Sequence, residues 1–348
     1  MTSAHVRVAV LAGALALLAG PSLAGPPEPS PITPELIDAA KKEGKVVFYS
    51  AIDLKVTQGL AKLFEQKYPG ITVQVERTGS ERIFQRVAQE RANNIFAVDV
   101  LDGSDQALFV TWKKQGILER YIPTELMKWP ASQRDPDGTY ASVRFTLMPI
   151  GVNTNLVKPE EAPKSFAELL EPKWAGKIVK AHPSYSGGIV TSTFQTVNAI
   201  GWAYFEKLGK QKVLQVQSAT EPPKKLALGE RALSADGLEY VHTLLKEQGA
   251  PIAMVYPSEG TPFIPGSEAI AKNAPHPNAA KLFMSFMVSR ETQQYLSDVA
   301  GLRSFHPDVK LKAGRTPLSQ IKLLPSDPVA QEAATEEIKK KYAQYFGI

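Results

Sequence analysis

Lys173 to Gly188 reads K-W-A-G-K-I-V-K-A-H-P-S-Y-S-G-G, and this stretch decides how the chain is built. A Trp-Gly turn leads into a short Ile-Val strand, a His-Pro break and a Ser-Tyr-Ser-Gly-Gly loop. Beyond the loop, Val190, Phe194, Val197 and Ile200 repeat at the three-to-four spacing of one buried helix face, which puts the glycines at that helix's N-terminus. The first N–H groups of a helix lack partners inside it and the macrodipole makes that end positive. Ser186, Gly187 and Gly188 are therefore a candidate anion-binding start. Ser186 equally suits an ordinary N-cap.

Upstream, Lys45 to Ala51, Ile71 to Arg77 and Ala97 to Leu101 read as strands, each followed by a polar turn and a helical pattern. The helix faces are Val56, Leu60, Leu63 and Phe64; then Ile83 and Val87; then Leu108 and Trp112, closed by Gly116. That alternation predicts parallel strands with crossover helices. The turns at Ser50 to Asp53, Thr78-Gly79-Ser80 and Asp102-Gly103-Ser104 then gather at the carboxyl edge of one sheet, where open α/β folds bind ligands. Asp53, Ser80 and Ser104 are also good N-caps, a role compatible with binding because a capped loop is a rigid one.

Several longer pieces stand in a familiar order: V-V-F-Y-S-A at Val46 to Ala51, A-K-L-F-E-Q-K-Y-P-G-I at Ala61 to Ile71, S-F-A-E-L-L-E-P-K-W-A-G-K-I at Ser165 to Ile178, L-A-L-G-E at Leu226 to Glu230, and the run from Gly260 to Phe283. From about Lys45 to His306 the chain resembles the substrate-binding proteins of ATP-driven importers, in the extracellular solute-binding cluster that includes the ferric-ion binders. The resemblance implies an α/β, two-lobe type II periplasmic binding fold, each lobe a mixed sheet flanked by helices and joined by hinge strands. It places lobe one at residues 26–160 and 264–310, and lobe two at 161–263 and 311–348. Lobe two would supply its own jaw from Ser186 to Gly188, Ser218 and Asp236 to Tyr240. Ferric members hold iron with two adjacent tyrosines, a His and a Glu, beside a synergistic anion. Here the tyrosine pair falls on Glu239 and Tyr240, the His position on Asp53 and the Glu position on about Ser104. With one of those ligands kept, no metal site is expected, although Asp53, Glu239 and Tyr240 remain hard oxygen donors.

Residues 1–24 carry a basic start at Arg7, an apolar run from Val8 to Gly20 and small residues at Ser22-Leu23-Ala24, the pattern of a cleaved signal peptide. The run is too short for an ordinary membrane span. With no cysteine, neither a disulfide framework nor a lipid-anchored Cys is expected, and the location implied is the periplasm. Lys and Arg number 40 against 35 acids; losing Arg7 with the leader leaves a small, dispersed positive excess that suits anionic ligands better than nucleic acid. The remaining length predicts two domains.

G-x-S-x-G, H-E-x-x-H and G-x-G-x-x-G are missing, and His182, His242, His276 and His306 lack metal-ligand spacing. The chain therefore reads as a non-enzymatic, monomeric binder with no cofactor, handing a small-molecule solute to an inner-membrane ABC permease. The expected solute is a small organic anion: an organic acid, phosphonate or sugar phosphate. Ser186, Gly187, Gly188, Gly79 and Ser80 would hold one end and Glu239 and Tyr240 the other, with Ser50, Asp53 and Ser104 on the facing turns. A ferric carrier with altered ligands and a sensor's accessory binder are the alternatives.

Overall fold

The computed structural model describes residues 25–347, so the expected leader lies outside the described residues. The first sheet unit contains α1 (Pro34–Glu43), β1 (Lys45–Ser50), α2 (Leu54–Lys67), β2 (Thr72–Arg77), α3 (Ser80–Ala92), β3 (Val100–Gly103), α4 (Gln106–Lys114) and β4 (Ala141–Leu147). The second contains β5 (Ile150–Asn153), β6 (Ile178–Ala181), α5 (Gly187–Ile200), α6 (Trp202–Gly209), β7 (Leu214–Val216), α7 (Glu221–Ala227), β8 (Leu233–Ser234), α8 (Glu239–Glu247) and β9 (Ile252–Val255). Then β10 (Phe263–Ile270) returns to the first sheet, followed by α9 (Pro277–Met287), α10 (Arg290–Asp298) and α11 (Pro328–Phe346).

Each sheet has five strands, in the orders β2-β1-β3-β10-β4 and β7-β6-β8-β5-β9. β1 pairs in parallel with β2 and β3, and β6 with β7 and β8, while β10 and β5 run antiparallel to their neighbours. This is the mixed α/β architecture expected. β1 is buried beyond Lys45 because helices cover both faces of a sheet built by crossovers. β3 begins later than the expected Ala97: the Val47 N–H goes to the Asp99 carboxylate at 2.7 Å instead of a backbone carbonyl, while the Asp99 N–H still donates to the Val47 carbonyl at 3.0 Å.

The chain passes between the sheets twice, at Met148-Pro149 and between Val255 and Phe263. The first passage corrects the expected boundary at residue 160, since Ile150–Asn153 pairs with β8 and β9 of the second sheet. Sheet alternation looks alike on either side of such a crossing, so the pattern of the strand alone does not reveal which sheet receives it.

Both lobes have aromatic cores. Phe48, Phe64, Phe283 and Phe286 pack together in the first, with Phe64 and Phe283 edge to face at 5.1 Å. In the second, Phe205 meets Tyr204 and the fully buried Tyr342 of α11. That helix, placed in lobe two by the resemblance, binds both sides. Its Gln331 donates to Asp105 at 2.7 Å, Lys339 reaches Glu81 at 2.7 Å, and Tyr342 bonds to the Ala181 carbonyl and to Gln215.

Candidate functional site

The two sheet units meet along a seam where α2, α3 and α4 begin on one side and α5 and α8 on the other. At one end of the seam, Ser80 Oγ accepts from the Ser104 N–H at 2.9 Å and lies 3.1 Å from Ser104 Oγ. Ser104 Oγ in turn accepts from the Gly188 N–H at 3.1 Å, across the lobes. A Cβ on Gly187 would sit 2.5 Å from the Cβ of Asp105 and 3.0 Å from that of Ser80. Glycine is what lets the lobes touch here. A Cβ on Gly79 would likewise run into the Tyr185 carbonyl. The starts of α3, α4 and α5 thus converge on one point, each bringing the positive end of its dipole, with the Gly188 N–H taken by Ser104 Oγ and the Ala107 N–H by the Asp105 carboxyl. Ser186 forms no side-chain cap bond; its backbone carbonyl accepts from Ile189 and Val190.

At the other end, the Tyr240 hydroxyl accepts from the Asp53 N–H at 3.1 Å, again between lobes. Asp53 caps α2 through Lys55 N–H at 3.1 Å, and the Lys224 ammonium stands 3.4 Å from its other oxygen. Burial, and then the Asp53 charge, push the Tyr240 phenol up to about 12, so it stays a neutral hydroxyl.

Two expected site residues are engaged elsewhere. Ser50 Oγ donates to Asp102 at 2.9 Å and accepts from the Ile52 N–H, bracing its own turn. Glu239 is fully buried, takes Arg303 through two bonds of 2.7 and 2.8 Å, accepts from Tyr256 at 2.8 Å and lies 3.1 Å from Arg315. Burial alone would raise its pKa; Arg303, Arg315 and Tyr256 bring it below the ordinary carboxylate value. Its carboxylate is saturated by its own chain.

Residues the sequence did not single out also shape the seam. Arg144 holds Asp102 with contacts of 2.7 and 2.8 Å, and Asp102 also accepts from the Ala51 N–H. Glu268, beside them on β10, has both carboxyl oxygens without partners among the described residues, and burial, then the Asp102 charge, push its carboxyl well above the ordinary carboxylate range. Arg77 reaches the Ile52 carbonyl at 3.1 Å. A charged residue inside an apolar strand, as in S-V-R-F-T-L at 142–147, was the available signal. Among the described residues, no group of three or more His, Cys, Asp or Glu side chains is placed to hold a metal ion.

Asp105 gives the seam a pH response. Burial, then the Glu81 charge, push its carboxyl up to about 8. An acid whose folded pKa is raised contributes stability that is present at low pH and lost as pH rises from the unfolded value near 4 to about 8, after which it is level. In thermal melts from pH 5 to 9, the wild-type minus Asp105→Asn difference should fall with pH and flatten above about 8. A difference that does not change across this range would mean an Asp105 ionised throughout.

Two mixed α/β units joined by strand crossings, with helix starts opposed across their seam, define a two-lobed binding protein of the type II periplasmic fold. Residues 59–317 match the model of the bacterial extracellular solute-binding proteins, and the chain belongs to that family. Its structure is similar to the periplasmic binding protein AfuA from Actinobacillus pleuropneumoniae with fructose 6-phosphate bound (TM-score 0.80, 25% identity, 88% of this chain and 99% of that one). It is also similar to iron-bound HitA from Pseudomonas aeruginosa (TM-score 0.75, 19% identity, 86% and 99% covered). Among curated proteins, iron uptake protein A1 of Synechocystis is 23% identical over 284 residues, 77% of each chain.

Proposed function

We propose that the protein is the periplasmic solute-binding component of an ABC importer and captures a small organic anion, of the sugar phosphate, phosphonate or organic acid class, between its lobes. It acts as a monomer, turns nothing over and delivers the solute to an inner-membrane permease. The observation that carries this reading is the convergence of the α3, α4 and α5 starts around Gly187, where backbone N–H groups and three helix dipoles face one point. Arg77, Arg144 and Lys224 add positive charge near Tyr240 and Asp53. In this reading the anionic end lies at Gly79, Ser80, Ser104 and Ser186 to Gly188. Asp53 and Tyr240 meet the other end, while the Glu239 carboxylate is occupied by Arg303 and Tyr256. Fructose 6-phosphate, bound in the similar AfuA, is an anion of this class.

Calorimetry with fructose 6-phosphate, inorganic phosphate and ferric citrate tests the assignment. One-to-one binding of the sugar phosphate, weakened in Arg144→Met, is expected. A stoichiometric coloured ferric complex that disappears in Tyr240→Phe would replace the organic anion with iron, as the likeness to HitA allows.

A further inference from the structure

Away from the seam, a cavity of about 550 Å³ opens in the first lobe beneath the Pro26–Pro29 segment. That volume falls among pockets that bury small organic molecules, roughly 300–1,000 Å³. Its wall is largely apolar, from Pro27, Tyr121, Leu126, Met127, Tyr140 and Met284. The wall is also built. Proline fixes its own φ, the Ser30 N–H donates to the Ile122 carbonyl at 2.8 Å, the Thr124 N–H donates to the Ser30 carbonyl at 3.1 Å, and Arg120 holds the Gly25 carbonyl. Gly138, at φ +72°, closes the side where any Cβ would strike Ile122 at 2.7 Å.

Charged groups at the cavity are Glu28, Glu119, Arg134 and Asp135. Glu119 pairs with Lys272 at 2.7 Å, Asp135 is taken by Lys113 and Thr139, and Glu28 is exposed at the rim. Arg134 is different. Its Nη1 donates to the Met127 sulfur at 2.9 Å, and its Nε is buried with no partner among the described residues. A thioether is a weak acceptor, whereas the planar guanidinium fork matches a carboxylate. An unpaired buried donor at the edge of an apolar cavity is costly until an acceptor arrives.

We infer that this cavity is a second binding site, distinct from the seam, for an amphiphilic monocarboxylate whose apolar body lies among Tyr121, Leu126 and Met284 and whose carboxylate sits on Arg134. Octanoate is the probe, with octan-1-ol and octylammonium as its neutral and cationic counterparts, titrated calorimetrically into the purified protein. Octanoate should bind saturably at one site, lose roughly tenfold or more in Arg134→Gln, and lose all binding in Met127→Glu, which supplies an internal carboxylate. Octan-1-ol should bind weakly and equally to wild type and Arg134→Gln. If Met127→Glu does not fold, Arg134→Gln alone decides. Octanoate affinity unchanged in Arg134→Gln, equal affinity for octylammonium, or no saturable octanoate binding to the folded protein overturns the site. So does a dimer in sedimentation that Arg134→Gln dissolves, because a second copy would then cover the cavity.

Discussion

Gly187→Val should leave each lobe folded while holding them apart. Its backbone is helical and needs no positive φ, so valine is tolerated locally, but its Cβ would sit 2.5 Å from that of Asp105 in the facing lobe. Overpacking of this kind costs about 1–3 kcal/mol, and here the cost falls on the closed form because the clash exists only there. Small-angle scattering of the variant should give a larger radius of gyration than wild type without added solute. Affinity for the seam's solute should fall roughly 10- to 100-fold. Ser186→Ala, which removes no side-chain cap bond and leaves the backbone N–H groups of the α5 start in place, should keep the wild-type radius and cost far less affinity. An unchanged radius together with unchanged affinity would remove the α5 start from the binding site.

Glu239→Ala should be among the most destabilising single changes in the chain. It strips the partner from a buried Arg303 and leaves Arg315 and Tyr256 with an unfilled acceptor position. Breaking a buried pair from one side costs about 3–5 kcal/mol, whereas Glu239→Gln keeps an acceptor in place and should cost less. Urea midpoints at fixed slope measure both. Because the folded carboxyl titrates below its ordinary value, its share of stability is present above about pH 4.5 and disappears as pH falls through the lowered pKa. Solute affinity measured on the folded Glu239→Gln protein should stay near wild type. A variant with wild-type stability and lost affinity would return Glu239 to direct contact with the solute.

The parts of this architecture that were readable in the sequence are those fixed by neighbours in the chain. The start of α5 followed from two glycines and a helical apolar row, and the turns after β1, β2 and β3 from strand-turn-helix alternation, all within windows of about a dozen residues. What escaped depends on distant partners. Glu239 looks like a favourable acid at a helix start until Arg303, 64 residues on, folds against it. Arg144 is unremarked within β4 until Asp102 and Glu268 surround it. The sheet that receives Ile150–Asn153 is settled by pairing with β8 and β9, information that lies about a hundred residues downstream. Likewise the cavity beside Arg134 needs the Pro26–Pro29 segment laid against Ile122 and Gly138, which a Pro-rich stretch does not announce.

Two passages of backbone between the sheets are like a pair of pins, and on pins alone a door swings freely. α11 adds a fastening of another sort, made of side chains: Lys339 grips one leaf, Gln331 reaches Asp105 in that leaf and Thr191 in the other, and Tyr342 is sunk into the other. A mechanical load on this helix is therefore passed to the angle between the leaves. Separation of the leaves would then require these side-chain bonds to break first.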